Sequence, residues 1–224
     1  MSLINKNKSK SDMTYDKENW PPAVKCSDLM CKYSIYGLQN LEDEIKQTCT
    51  DNEGKFDEKK YTLKWALSFL EILSFWAFYI NLIGDQLIGD DYTLKLINDV
   101  TPLFVETSMK SLWNGYSNEF IGKKMDEFFP FIAEKVSSYF ECKELWNNNI
   151  DSATCIMHNM HRQGSMQLLC DYLFILIHES HDCLVSLDIT FDMLVSQPIM
   201  DYIKSEELDK YVIEYKNFKI KDIK

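Results

Sequence analysis

The stretch Glu58–Ile83, EKKYTLKWALSFLEILSFWAFYINLI, decides the fold of this chain. Trp65, Phe69, Ile72, Trp76, Tyr79 and Ile83 recur at three- and four-residue intervals, which stacks them on one helical face. Leu63, Leu67, Leu70 and Ala77 make a second face, and a helix apolar on nearly every side belongs at the centre of a bundle. Asp57 is placed to cap its N terminus and Gly84 to end it. The stretch also approaches bilayer-spanning length. Glu71 stands in its middle, however, where a carboxylate costs roughly 3 kcal/mol in lipid, and Ser68, Ser74 and Asn81 weaken the segment further. The expected place is a protein core. A membrane-active helical protein using helix 58–83 is the alternative.

Working outward, the same periodicity predicts helices over 118–140, carrying Phe120, Ile121, Met125, Phe128, Phe129, Ile132, Val136 and Phe140, and over 166–184. Pro130 is expected to kink the first of these. Shorter helices are expected from Ser27-Asp28 to Gly37, around Leu38–Ile45, from Asp91 to about Asp99, and onward from Pro102 to a stop at Asn114-Gly115. Asp151 or Ser152 is placed to cap a helix through Arg162, which Gly164-Ser165 interrupts. Helices near 191–195 and 198–204, with Pro198 in a first turn, lead to a last helix capped by Ser205. Outside the short run 185–190 no period-2 pattern suggests a strand. The fold class is all-α: an irregular multi-helix bundle around 58–83, 118–140 and 166–184. Residues 1–25 lack the apolar content of a core and predict a disordered N-terminal arm, leaving 26–224 as a single helical domain with a subdivision point near 147–150.

Charge narrows the function classes. Twenty-four basic against 35 acidic residues give a net charge of −11, and the arm's surplus of lysine leaves the body more acidic still. Such a surface repels phosphate backbones and attracts cations, which excludes nucleic acid as the expected ligand. Arg162 is the only arginine, so the planar fork used for bidentate phosphate and base recognition is nearly absent. Seven scattered cysteines without a CxxC pair predict reduced thiols and a cytoplasmic protein.

All four histidines, His158, His161, His178 and His181, fall within 24 residues, with Cys155, Cys170 and Cys183 among them. Each pair has i, i+3 spacing, which puts two imidazoles on one side of a helix, and Asp171 and Asp182 share the azimuth of His178. A metal-dependent helical enzyme using this cluster is a second alternative. The tight cysteine spacings of a structural zinc site are missing, and the two histidines of His178-Glu179-Ser180-His181 are three apart rather than the four a metalloprotease helix requires. No nucleophile elbow, phosphate-binding glycine loop or dinucleotide fingerprint is present. No catalytic, cofactor-binding or metal residue is therefore assigned, and no cofactor is expected. The leading expectation is a non-enzymatic acidic helical module that engages a basic partner protein, in the manner of an inhibitor, antitoxin or immunity factor. Acidic clusters at Glu42-Asp43-Glu44, Asp51 to Asp57, Asp85 to Asp91 and Glu206 to Asp209 are its candidate docking charges, with Tyr92 and Trp113 as nearby aromatic anchors.

Overall fold

A computed structural model describes residues 19–112, 115–149, 160–179, 189–205 and 207–221. Among these the chain forms eight helices and no strand: α1 (Pro22–Asn40), α2 (Glu42–Thr48), α3 (Glu58–Ile88), α4 (Asp90–Leu112), α5 (Asn118–Asn149), α6 (Met160–His178), α7 (Ile189–Lys204) and α8 (Glu207–Lys221). The multi-helix bundle expected from periodicity is the observed architecture.

α3 is the axis. It packs against α1, α4, α5, α6 and α8, and every residue from Ser68 to Ile80 is buried. Each large apolar side chain taken out of water there contributes about 1.5–3 kcal/mol. Of the two buried serines, the Ser68 hydroxyl has no hydrogen-bond partner among the described residues, whereas Ser74 is satisfied within the helix, its Oγ donating to the carbonyl of Leu70 at 2.8 Å. Asn81 Nδ2 likewise donates to Ala77 at 2.8 Å. Within the apolar window of α3, 83% is buried against the rest of the protein, which is the behaviour of a core helix. Its second face is only half as expected: Leu70 and Ala77 are buried, whereas Leu63 at the outer end is 60% exposed.

Several boundaries differ from the expectation, each for a local reason. Asp57 does cap α3, accepting from the amide of Lys60 at 3.0 Å. Gly84, however, lies inside α3, where a Cβ would fall 2.9 Å from Thr93 Cγ2, so this glycine lets α4 approach. The helix stops instead at Gly89, whose φ of 81° continues no right-handed turn. α1 begins at Pro22, a residue suited to a first turn, four residues before the expected start of the folded body, and runs through Gly37. α4 is continuous through Pro102, α5 through Pro130 and α7 through Pro198, so tertiary packing carries each helix past a missing amide donor. α6 continues through Gly164-Ser165 and ends at His178 rather than 184.

That early end has a chemical cause. Lys64 of α3, 5% exposed, donates its ammonium to the carbonyl of Ile177 and, at 3.3 Å, to Thr48 Oγ1, and it pairs with Glu179 at 3.1 Å. A buried cation at a helix C terminus satisfies terminal carbonyls and complements the dipole. Glu179 then leaves the helix with φ of 55°.

Candidate functional site

A concavity among the described residues lies between the last turns of α1 and the stripe of α7 that recurs every fourth residue from Met193. It has a volume of about 680 Å³. Small-ligand and side-chain sites commonly occupy about 300–1,000 Å³. Tyr36 and Asn40 form the α1 wall. Met193 with Leu194, Gln197 with Pro198, and Asp201 with Tyr202 form the opposing one. Tyr36 and Met193 are 45% and 57% exposed, an unusual position for two large apolar groups on one rim.

The aromatic wall is anchored in the core. Trp76 of α3 packs against Tyr33, with ring centroids 5.2 Å apart, and Tyr33 stacks on Tyr202 at 3.7 Å. Tyr36 meets Tyr202 edge-on at 5.6 Å. Burial pushes the Tyr33 phenol up to about 12. Burial and the neighbouring Tyr36 raise that of Tyr202. Both phenols therefore stay neutral around pH 7, and Asp201 is the one formal charge among the lining residues. Gln197 Nε2 donates to Asp201 Oδ1 at 2.8 Å and orients the carboxylate. Among the described residues no lysine or arginine comes within 4 Å of it.

Of the four histidines, only the side chain of His178 lies among the described residues. His178 stacks on Phe174 at 4.1 Å, and its Nε2 lies 3.8 Å from Glu44 Oε2. His158 and His181, with Cys155, Cys183 and Asp182, lie outside the described residues, as does the side chain of His161. Among the described residues no three histidine, cysteine or acidic side chains converge on a point that could hold a metal. Cys26, Cys31, Cys49 and Cys170 are buried thiols, and burial pushes Cys26 up to about 12.

Glu71, which argued against a bilayer span, is 1% exposed and bridges helices. It accepts from Tyr139 at 2.8 Å and pairs with Lys135 at 3.0 Å, while the Lys135 ammonium lies 3.5 Å from the centre of the Tyr172 ring.

In two of the four acidic clusters a carboxylate has partners within the fold. Glu42 pairs with Lys46 at 2.6 Å and accepts from Tyr61. Asp51 accepts from the amides of Glu53 and Lys55, closing the turn before α3. At the α3–α4 corner Asp85, Asp90 and Asp91 are exposed, and the Asp85 carboxylate beside Asp90 raises its pKa. Tyr92 is covered by the ammoniums of Lys95 and Lys216, at 5.3 and 5.4 Å. Trp113 and Glu206 lie outside the described residues.

Sequence reasoning did not reach the groove. Tyr33 and Tyr36 are one turn apart, and Gln197, Asp201 and Tyr202 share a stripe, but the two helices are distant in sequence and meet only in the bundle. No protein-family model, curated protein or solved structure matches the chain.

Proposed function

We propose that this protein is a binding module for a basic partner protein, acting by occupation of a surface in the manner of an inhibitor, antitoxin or immunity factor. The observation that carries this reading is the α1–α7 groove: exposed aromatic and thioether groups around one oriented carboxylate, on a molecule of net charge −11. Aromatic and methionine side chains are enriched at interface centres, and a negative field speeds encounter with a positive partner.

The test has two stages. Tagged protein is used to capture partners for identification by mass spectrometry, and each purified partner is then followed in binding kinetics over a salt series. A basic partner whose association slows as the Debye length falls below ~10 Å, with dissociation changing less, supports the reading. Reversal at the exposed corner, Asp90→Lys with Asp91→Lys, should slow association and leave the helical signal intact. An acidic or uncharged specific partner, or association indifferent to salt, overturns it.

A further inference from the structure

We propose that the α1–α7 groove receives a lysine or arginine side chain flanked by apolar residues on the partner. This rests on the reading of the chain as a module for a basic protein, and it names the chemistry of the contact. Long cationic side chains bury their methylene stems along apolar surface while the head keeps polar company. The groove offers both halves. Met193, Leu194 and Pro198 provide hydrocarbon for the stem and its neighbours, and Tyr36 and Tyr202 present rings beside Asp201, to which a cation is attracted through both the ring quadrupole and the carboxylate. The carboxylate is already held by Gln197. The other amide on the rim, Asn40, can accept from a partner's backbone.

Other occupants fit less well. An acidic side chain would face Asp201 with no cation within 4 Å among the described residues. A choline lipid supplies a cation, but its phosphate would meet an acidic molecule. A purely apolar segment would desolvate the Asp201 carboxylate without compensation.

The experiment titrates the full chain with blocked tripeptides, Leu-Lys-Leu, Leu-Arg-Leu, Leu-norleucine-Leu and Leu-Glu-Leu, following amide shifts of residues 36 and 201 by NMR. The cationic peptides should bind about tenfold more tightly than the norleucine peptide, and the glutamate peptide most weakly. Asp201→Asn and Tyr36→Leu should each remove about two- to fivefold of that preference, and Tyr36→Trp should increase it. Both positions are exposed, so circular dichroism of the variants should match the wild type. Equal binding of the lysine and norleucine peptides, or failure of the lysine peptide to bind at millimolar concentration, overturns the assignment. Phosphatidylcholine vesicles that bind the wild type but not Asp201→Asn would also overturn it, by making the ligand a lipid.

A lysine 20-mer separates this inference from the broader reading. Salt-dependent binding of the 20-mer that survives in the Asp201→Asn, Tyr36→Leu double variant removes the groove assignment and leaves the acidic-surface reading standing. If the 20-mer does not bind the wild type at low salt, both fall.

Discussion

Replacing Lys135 should cost this protein more than replacing Glu71, although the two residues form one ion pair. Glu71 is 1% exposed, whereas the Lys135 side chain retains 21% exposure and rests on the Tyr172 ring. Lys135→Met leaves a carboxylate buried with only Tyr139 as partner, the situation in which breaking a buried pair costs about 3–5 kcal/mol. Glu71→Gln leaves a lysine that can turn towards water and an amide oxygen that still accepts from Tyr139, so its cost should be about 1–2 kcal/mol. Set against a total stability of about 5–15 kcal/mol, the difference is measurable. The pair Glu71→Leu with Lys135→Met removes both charges and should be more stable than Lys135→Met alone.

The pH dependence gives an independent check. Burial raises the Glu71 carboxyl above its ordinary value, against the opposing pull of Lys135 and Tyr139. A carboxyl raised in the folded state takes up its proton more readily there than in the unfolded chain. Its ionisation therefore lowers stability as pH rises through its folded value, and acid relieves that penalty. Without Lys135 the folded value climbs further, so the deficit of Lys135→Met should be greatest near pH 7 and shrink towards about pH 5. Urea unfolding, followed by tryptophan fluorescence at several pH values with unchanged m, measures this directly. A deficit below about 1 kcal/mol, or one independent of pH, would refute the reasoning.

Two further outcomes follow from local geometry. Gly84→Ala should destabilise by about 1–3 kcal/mol, because its Cβ meets Thr93 at 2.9 Å, whereas Gly37→Ala, whose nearest neighbour is Ile72 Cδ1 at 3.7 Å, should gain about 0.5–1 kcal/mol from helix propensity; thermal melts compare them. Asp90→Asn should raise the melting temperature at neutral pH by removing repulsion from Asp85, and the gain should vanish at a pH low enough to protonate Asp90, since its raised pKa means stability is lost as pH rises through it.

The central helix was legible because its burial on all sides leaves a periodic trace that needs no knowledge of neighbours. Asp57 was legible for a similar reason: capping is local, involving an amide three residues away. Gly84 was not, since its meaning depends on Thr93 arriving from another helix. The end of α6 is set by Lys64, 113 residues earlier than the carbonyl it satisfies. Pro102 and Pro198, expected in first turns, misled for the opposite reason, because a local penalty of about 3 kcal/mol is outweighed when the helix on both sides of the ring is packed. Composition shows acidic runs but not that Asp51 closes a turn or that Glu42 pairs with Lys46, since those partners are set by local geometry.

The groove inherits order from the core, and this order makes a prediction of its own. Tyr202 is fixed by Tyr33, which is 4% exposed and rests on fully buried Trp76, so the wall that would contact a ligand is held before any ligand arrives. Immobilising a side chain on binding costs about 0.5–1.5 kcal/mol, and here much of that cost is met during folding. Tyr33→Leu removes the stack without touching the groove lining, and it should weaken the lysine tripeptide about two- to tenfold. Tyr33→Phe keeps the ring and its stack on Tyr202 and removes only the phenol oxygen, so it should leave binding unchanged. Titration of both variants, with circular dichroism to confirm the helical fold, distinguishes a wall that is held from one that is merely near. Equal binding by Tyr33→Leu and the wild type would mean that Tyr202 needs no support, and the preorganisation argument would fail.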